Sequence, residues 1–303
     1  MEKFMTGKVL ITGANGYIGR HLAVLLMENM HNVLLTDIQE ASYDGHLDYT
    51  RSDIRNCGSF ADMLNDVSLV FHLAGMTGTW DSFERYRDFI EVNEIGLLNL
   101  LDAVSKTENR AKVVFPSTRL VYKGLTDGLL KEESPLEFKT IYAANKFACE
   151  NYLKMYHEIY GVNYTVFRIC VPYGNLLDEK LSYGTINHFV KQAEKGEHIS
   201  IFGDGSQKRT FIHIDDLTHV LMKGGFSSRT DNGVFNIGGN NVLSIKDVAS
   251  KIAQKYGVKV RFVPWPKTAQ LLESGDTAFD SGRVDAVTGH AMKHDFFAWL
   301  DGL

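Results

Sequence analysis

The stretch that decides the fold is Thr12-Gly13-Ala14-Asn15-Gly16-Tyr17-Ile18-Gly19, which follows the apolar run Val9-Leu10-Ile11 and precedes the helix-like run 21–26. This order predicts a strand, a glycine turn and a helix. Gly13 permits a tight turn, Gly16 lets the backbone approach a pyrophosphate, and Gly19 allows close packing of the helix. The free amides and the dipole at the start of such a helix bind anions. The stretch therefore predicts a dinucleotide site, with Tyr17 and Ile18 as further contacts.

An acidic residue, Asp37, closes the next apolar run at residues 33–36. A carboxylate at this place can bind both adenosine ribose hydroxyls of NAD and would repel the 2′-phosphate of NADP. No Arg or Lys occurs at positions 38–50 to hold that phosphate, so NAD is the expected cofactor, with Ile38 beside it. The alternative is a solvated acid at the end of a strand.

Two further segments are expected to contact the same cofactor. Asp53, followed by Ile54, is placed either to bond the adenine amino group or to cap a helix over residues 56–65. The buried run at 70–73 leads into the small residues Ala74 and Gly75, which would let the backbone pass beside the cofactor, and Leu73 is a further expected contact. His72 in this run is interpreted as a structural histidine.

A tyrosine and a lysine four residues apart, Tyr142 and Lys146, stand at the start of a helix-like run. This spacing places both side chains on one helix face. A phenol with an unperturbed pKa of about 10 is a poor base at neutral pH, but a nearby ammonium favours the phenolate. The pair is therefore a candidate catalytic base with its partner, and Lys146 can also hold the nicotinamide ribose. A surface Tyr and Lys is the alternative.

Other candidate site residues lie at strand ends and in a basic segment. Thr118 ends a strand where ligands bind in parallel sheets, and its hydroxyl can bond a substrate oxygen beside Tyr142 or satisfy local backbone groups. Arg209 is a candidate diphosphate ligand, while Arg168 is a weaker candidate or an internal ion-pair partner. His290 and His294 have the spacing of a helical metal pair, but without a third ligand we interpret them as surface residues and expect no metal.

Composition sets the broad class of the protein. The chain has 303 residues, 44% hydrophobic and 23% charged, with a net charge of −5. A chain of this length can bury a large core without disulfides or structural metal ions. Its net charge gives no sign of a nucleic-acid partner. The three cysteines lack a paired spacing and indicate reduced thiols. No signal peptide or membrane-spanning run is evident, so we expect a cytoplasmic protein without a membrane partner.

Strand-like and helix-like runs alternate through the first half of the chain. Strands are expected at 8–12, 33–36, 68–73, 112–116 and 163–168, and helices at 17–29, 56–65, 82–105 and 140–160. This alternation predicts an α/β fold with a doubly wound parallel sheet, the Rossmann arrangement.

After residue 168 the pattern changes to shorter elements. We expect a helix near 183–195, strands at 199–202 and 210–214, a helix capped by Asp215 or Asp216, a main-sheet strand at 234–237, a helix near 244–256 and a strand near 259–263. Residues 1–168 plus about 211–238 are predicted to form the NAD-binding domain. Residues 169–210 plus 239–303 are predicted to form a smaller interleaved α/β substrate domain, with the site in the cleft between them.

In order and spacing, these residues resemble the extended short-chain dehydrogenase/reductase family, in its nucleotide-sugar epimerase and dehydratase branch. Besides the glycine stretch and Asp37, the resemblance rests on Asp53-Ile54, His72-Leu73-Ala74-Gly75, Asn93-x-x-Gly96-x-x-Asn99-Leu100-Leu101, Ser117-Thr118-x-x-Val121-Tyr122, Tyr142-x-x-x-Lys146, Arg168-x-x-x-x-Tyr173-Gly174 and Arg209-Thr210-Phe211-Ile212-His213-Ile214-Asp215-Asp216. It covers most of the chain and adds Asn93 to the expected cofactor contacts.

The resemblance implies a reaction as well as a fold. Tightly held NAD would be reduced and reoxidised within one turnover, and the partner would be a nucleotide-sugar substrate. Tyr142 would take a proton from a sugar hydroxyl, usually at C4, while Thr118 shares the hydrogen bond and Lys146 tunes Tyr142. The resemblance also implies a homodimer in which the helices at 82–105 and 140–160 pair with their copies.

Several departures from the family pattern narrow the chemistry. Arg119 and Leu120 stand where dehydratases carry Asp-Glu, and decarboxylating relatives carry Glu at the place of Leu120, so both reactions are disfavoured. Val171 replaces a common Asn, and Glu273-Ser274 precede Gly275-Asp276 where a second diphosphate Arg is common. Arg119 is a further substrate-binding candidate, for an acidic group, or else a structural salt-bridge partner; Thr77 is another candidate.

The resulting hypothesis is an NAD-dependent epimerase that inverts C4 of a nucleotide sugar, most simply a UDP-hexose, through a transient 4-keto sugar. The alternative is a nucleotide-sugar 4-reductase or another net NAD-dependent oxidoreductase. A third hypothesis, an NAD-sensing protein without turnover, is opposed by the intact set Thr118, Tyr142 and Lys146, because a sensor needs no acid/base group.

Overall fold

A seven-stranded parallel sheet forms the centre of the molecule. The computed structural model describes residues 7–60, 62–177 and 184–303. The strands of this sheet are β1 (Lys8–Thr12), β2 (Val33–Asp37), β3 (Tyr49–Arg51), β4 (Val67–His72), β5 (Lys112–Thr118), β6 (Tyr164–Ile169) and β10 (Gly233–Ile237). Their order is β10-β6-β5-β4-β1-β2-β3, and every pairing is parallel. The predicted doubly wound fold is confirmed, including the late strand of the main sheet.

The sheet order reverses direction at β1, and this reversal positions the site. From β1 the chain proceeds to β2 and β3 on one side, and after β3 it crosses to β4 on the other side of β1, so the strand order reverses there and leaves a crevice at the carboxyl edge. The two faces of the sheet are covered by separate apolar cores, which contain Ile11, Leu22 and Phe71 on one side and Leu10, Leu100 and Val113 on the other.

Eleven α-helices lie in the part of the chain that the structure describes. They are α1 (Tyr17–Glu28), α2 (Asp81–Glu84), α3 (Tyr86–Phe89), α4 (Gly96–Ser105), α5 (Ile141–Tyr160), α6 (Gly184–Glu194), α7 (Ile214–Phe226), α8 (Ile245–Tyr256), α9 (Lys267–Leu272), α10 (Gly282–Thr288) and α11 (Phe296–Asp301). Within residues 7–60, 62–177 and 184–303, every helix is too short or too polar to cross a membrane.

The predicted helix at 56–65 is wrong. The described residues of this segment form successive turns, in which Ser59 Oγ donates to the carbonyl of Asp53 over 2.6 Å and the amide of Arg55 donates to the Asp53 carboxylate. Short polar side chains that bond nearby backbone compete with helix formation, and Gly58 adds a further cost. Asp53 therefore does not cap a helix.

The predicted helix at 82–105 is broken into four pieces. Arg85, at φ −117° and ψ 33°, separates α2 from α3, and a π-helix from Ile90 to Ile95 precedes α4. Such wide turns occur mostly at functional sites. The prediction located the helical region but not the interruption that places Asn93.

The later segments form two small sheets beside the main one. Strands β7 (Val171–Tyr173), β9 (Lys208–His213) and β11 (Asn241–Ser244) form one sheet, while β8 (Ile199–Phe202) and β12 (Val260–Val263) pair in parallel. A third apolar core fills this part of the molecule and includes Ile186, Phe189, Ile252 and Phe296. The division into two domains stays a prediction, and residues 1–6, 61 and 178–183 of its ranges lie outside the described residues.

The start of α7 differs from the prediction. Neither Asp215 nor Asp216 caps it; His213 does, because its ring Nδ1 accepts the amide of Asp215 over 3.2 Å. Asp216 is buried and accepts instead from the backbone amides of Lys293 and His294. The strand continues to His213, which leaves the acids inside the first turn of the helix.

Candidate active site

The glycine turn after β1 is packed too closely against neighbouring backbone to accommodate side chains. Gly13 has φ +71°, and a Cβ on it would lie 2.5 Å from the backbone nitrogen of Ala74. A Cβ on Gly19 would lie 2.2 Å from the carbonyl oxygen of Gly13. The first turn of α1 therefore packs directly on the loop that precedes it, and its amides open toward the crevice. This backbone cradle fits the diphosphate of a dinucleotide.

A cavity of about 670 Å³ extends from this turn along the ends of β2 and β3. Its wall includes the predicted cofactor contacts Gly13, Gly16, Asp37, Ile38, Asp53, Ile54, Leu73, Ala74 and Gly75. Both carboxylate oxygens of Asp37 are held by backbone amides, of Asn15 at 2.9 Å and of Ile38 at 2.7 Å. An acceptor-only group fixed in this way can still bind ribose hydroxyls through its remaining lone pairs.

Two arginines outside positions 38–50, Arg51 and Arg20, also lie near this cavity and could in principle bind the 2′-phosphate of NADP. Arg51 donates to the carbonyl of Ile38 and forms an ion pair with Glu40 at 2.6 Å. Arg20, on α1, pairs with Asp44 through two nitrogens. Because each has its own carboxylate, neither is poised for the 2′-phosphate of NADP, and the expectation of NAD is unchanged.

Asp53 and Ile54 hold the far wall of the cavity. Two nitrogens of Arg55 bind the carboxylate of Asp53, and this hydrogen bonding lowers the pKa of Asp53 below its usual range. Ile54 is buried, and a Cβ on Gly96 would lie 2.6 Å from its Cδ1. The adenine contact of Asp53 stays a prediction, with Arg55 as a neighbour that the sequence interpretation missed.

Asn93 lies behind the cofactor wall, on the π-helix. Its side-chain oxygen accepts the amide of Met76 at 2.7 Å, and its side-chain nitrogen donates to the carbonyl of Met76 at 3.1 Å. A Cβ on Gly75 would lie 3.0 Å from the same oxygen. Asn93 thus fixes the loop after β4, and its direct contact with a cofactor stays a prediction.

The three predicted catalytic residues line one smaller cavity. This space of about 290 Å³ is bounded by Thr118, Tyr142 and Lys146, together with the glycine turn, Tyr17, Ile18 and Thr77. Thr118 Oγ1 accepts the amide of Leu120 over 3.3 Å. That bond satisfies a local backbone group, as the structural alternative requires, but it uses only an acceptor position of the hydroxyl. The structure therefore brings the three predicted side chains together.

Lys146 is held by backbone and by an aromatic ring. Its Nζ donates to the carbonyl of Pro116 over 2.9 Å and lies 4.4 Å from the centroid of the Phe115 ring. Burial lowers the pKa of Lys146 to about 8. The ammonium thus remains the main form at neutral pH. Tyr142 is buried and packs edge-on against Phe89, with ring centroids 6.4 Å apart.

Arg168, Glu150 and Ser117 form a buried ionic network next to the end of β5. Arg168 pairs with both carboxylate oxygens of Glu150 and donates to Tyr122 Oη. Ser117 Oγ donates to the same carboxylate of Glu150 over 2.5 Å. The interpretation of Arg168 as an internal ion-pair partner is confirmed. Removing one partner of such a buried pair is strongly destabilising, so this network fixes the strand that presents Thr118.

Arg209 is buried and already engaged. One terminal nitrogen donates to the carbonyls of Lys208 and Gly275, and the other forms an ion pair with Glu273 at 2.5 Å. Glu273 lies in the segment where the sequence analysis expected a second arginine, and its negative charge offsets the positive charge of Arg209. Arg119 lies near this pair and donates to Thr277 Oγ1 over 3.0 Å. Substrate binding by Arg209, Arg119 and Thr77 stays a prediction.

Three histidines that the sequence analysis singled out have structural surroundings. His72 is buried beside Thr12, and burial lowers its pKa to about 3. The interpretation of His290 and His294 as surface residues with helical spacing is wrong. Both follow the end of α10, and the ring nitrogens of both lie within 3.2 Å of the buried Asp216 carboxylate. Spacing alone could not reveal this distant acid.

Comparison with known proteins identifies the family. The model of the NAD dependent epimerase/dehydratase family matches residues 9–238. The chain belongs to this family of enzymes.

The relatives differ in substrate. A putative UDP-glucose 4-epimerase of Methanocaldococcus jannaschii is 27% identical over 83% of this chain and 83% of the relative. A UDP-glucuronate 4-epimerase of Thermodesulfobacterium geofontis is 30% identical over 84% of this chain and 82% of the relative. The solved structure of MoeE5 in complex with UDP-glucuronic acid and NAD is 27% identical, covers 97% of both chains and has a TM-score of 0.84.

Proposed function

We propose that the chain catalyses the NAD-dependent 4-epimerisation of a UDP-hexose. The observation that carries the proposal is the single cavity that joins the glycine turn to Thr118, Tyr142 and Lys146. A candidate base that shares its cavity with the cofactor cradle can act on the carbon that exchanges hydride. The relatives named above, two of them 4-epimerases, support this choice of reaction.

The residues present fit NAD as the cofactor. The backbone cradle at Gly13 and Gly19 would hold its diphosphate, Asp37 would bind the adenosine ribose, and Lys146 would bind the nicotinamide ribose. When bound, NAD supplies an acceptor and donor of hydride.

The chain's own groups would manage the proton. Tyr142 Oη, as phenolate, would take the proton of the sugar C4 hydroxyl while the C4–H bond breaks, and it would return that proton when the 4-keto group is reduced on its other face. The ammonium of Lys146 would stabilise the phenolate, and the Thr118 hydroxyl would donate to the C4 oxygen. The Pro116 carbonyl holds the Lys146 ammonium in place over 2.9 Å.

The residues after Thr118 oppose two other reactions of the family. A dehydration or a decarboxylation would need an acidic group there, and Arg119 and Leu120 begin a short 3₁₀ turn that provides none. A net 4-reductase would use the same three catalytic residues, so only the fate of the hydride separates it from an epimerase.

The deciding experiment follows a label at the reacting carbon. UDP-hexose deuterated at C4 is incubated with the purified protein without added cofactor, and the two C4 epimers are separated by chromatography before their deuterium content is measured by mass spectrometry. The 4-epimerase is expected to give the C4 epimer with its deuterium retained, because the hydride returns to the carbon it left. Transfer of the label to free NADH, or a need for stoichiometric NADH, would assign a net oxidoreductase instead.

A further inference from the structure

A second arginine, Arg119, is the neighbour in the chain of the proposed catalytic residue Thr118. It follows Thr118 and begins the 3₁₀ turn Arg119–Val121. Its guanidinium makes one hydrogen bond within the described part of the chain, from Nη1 to Thr277 Oγ1, and no ion pair within 4.0 Å there. A guanidinium carries five N–H donors in a fixed fork. Most of these donors therefore have no protein acceptor among the described residues.

Few groups near Arg119 offset its positive charge. Burial and then the nearby charge of Arg209 lower the pKa of Arg119 to about 9, while Glu273 and Tyr142 act in the opposite direction. The group thus remains charged at neutral pH. Removing a cation from water without an anionic partner is costly, and a hydroxyl is a weak substitute.

Arg168 is buried and shows how a fully paired arginine is held in this protein, whereas Arg119 is half-buried. Arg168 has a two-oxygen pairing with Glu150, a bond to Tyr122 Oη and a bond to the carbonyl of Glu132. Both arginines adjoin β5 and its neighbours, yet only one has a carboxylate of its own. Arg168 can therefore act as a structural ion-pair partner, whereas Arg119 has no carboxylate of its own among the described residues to form such a pair.

Arg119 and Arg209 share a single acid. Thr277, which accepts from Arg119, forms a β-bridge with Arg209. Arg209 is in turn paired with Glu273 at 2.5 Å. Arg119, Arg209 and Glu273 therefore form a group of two cations and one carboxylate with a net positive charge.

We propose that Arg119 is a substrate-recognition residue that binds an anionic oxygen group of the substrate, and that Glu273 competes with this group for the two arginines. The inference rests on the proposed function, since it gives the same site a feature of its substrate. Guanidinium groups bind carboxylate and phosphate through two parallel N–H bonds. The group is either the diphosphate of the nucleotide sugar or a carboxylate on the sugar itself.

The test measures binding, with turnover removed. In a Tyr142→Phe background loaded with NAD, calorimetric titrations with UDP, UDP-glucose and UDP-glucuronate give dissociation constants for three probes. Adding Arg119→Gln is expected to weaken binding by about tenfold or more, since hydrogen bonds to charged groups contribute strongly. Equal losses for all three probes would assign the diphosphate as the bound group. A loss confined to UDP-glucuronate would assign the sugar carboxylate.

A second variant, at Glu273, is expected to change the binding affinity in the opposite direction. Glu273→Gln removes the competing carboxylate and is expected to tighten binding of the affected probes severalfold, whereas Arg119→Lys keeps the charge and should lose less than Arg119→Gln. The proposal is overturned if Arg119→Gln leaves all three affinities within twofold, or if Glu273→Gln weakens binding. Loss of the C4 deuterium in the labelling experiment would instead reject the epimerase alone, because the titrations do not depend on turnover.

Discussion

The proposed catalytic cleft has a cofactor end and a proposed substrate end, and these two ends are constrained by different features of the chain. At the cofactor end, the constraints lie in the backbone: a Cβ on Gly13 or Gly19 would lie 2.5 or 2.2 Å from a backbone atom of another residue, which is too close for any side chain. At the substrate end, the constraints lie in the charges of Arg119, Arg209 and Glu273, which come from three distant segments. The first end tolerates few changes. The second can change its electrostatics through single substitutions, so specificity is expected to reside there.

The largest expected effect is a loss of turnover when Tyr142, which lies where the two ends meet, is replaced. Tyr142→Phe removes the phenolic oxygen but keeps the ring that packs against Phe89. Turnover should fall by about 10²- to 10⁴-fold, the usual contribution of a positioned acid/base, while NAD binding persists. Steady-state kinetics and NAD titration measure the two effects. Tyr160→Phe, at the exposed end of the same helix, is the control and should be near wild type; a similar loss there would reject the assignment.

The backbone character of the cofactor end is tested by Gly19→Ala. The added methyl group must displace the carbonyl of Gly13, and overpacking of this kind costs about 1–3 kcal/mol. We expect NAD affinity to fall about tenfold or more, together with a lower melting temperature by calorimetry. Gly58→Ala, where a Cβ meets nothing within 4 Å, is the matched control. An unchanged NAD affinity in Gly19→Ala would show that the cradle is less rigid than its contacts indicate.

Asp37 is the one place at the cofactor end where a side-chain charge should decide selectivity. Asp37→Ala should reduce the preference for NAD over NADP by about tenfold, which corresponds to about 1.4 kcal/mol. Titration with both cofactors measures the ratio. Asp48→Ala removes the same charge from an exposed position that does not line the cavity, and it should leave the ratio unchanged. A wild-type protein that bound the two cofactors equally would already contradict the role given to Asp37.

The smallest effect concerns assembly, which stays a prediction. On α5, Ile159 and Met155 are 71% and 52% exposed, and on the preceding segment Phe83 is 41% exposed. Large apolar groups in one region mark contact surfaces, and pairing of α5 with its copy would cover them. Light scattering should give twice the chain mass of 34.1 kDa for the wild type. Ile159→Glu should lower this value, whereas Leu271→Glu, at a 74% exposed residue elsewhere, should not. A monomeric wild type would contradict the homodimer.

The main sheet could be predicted from the sequence because its signals are local. Each parallel strand is buried on both faces and appears as a short apolar run, as at 8–12 and 112–116. The glycine turn is likewise determined by residues within one segment. The segment at 56–65 shows the limit of such patterns, since its helical periodicity was outweighed by hydrogen bonds from short polar side chains to the backbone.

The electrostatics of the site could not be predicted, because the partners are far apart in the chain. Arg209 meets Glu273 across 64 positions, and His290 meets Asp216 across 74. Spacing suggested a diphosphate ligand and a surface histidine, but neither pattern carries information about an acid that the fold brings in. The sequence analysis identified Glu273 only as a departure from the family pattern, and its pairing with Arg209 is a finding of the structure.

The π-helix from Ile90 to Ile95 has a consequence for how this region can vary in length. A π turn contains one residue more than an α turn over the same path, so deletion of a single residue would restore regular α-helical bonding and not shorten the route to α4. The deletion would also remove the widened turn on which Asn93 lies. Asn93 would then lose the two hydrogen bonds to Met76. The extra residue keeps the loop after β4 in place, while α4 still packs on the sheet.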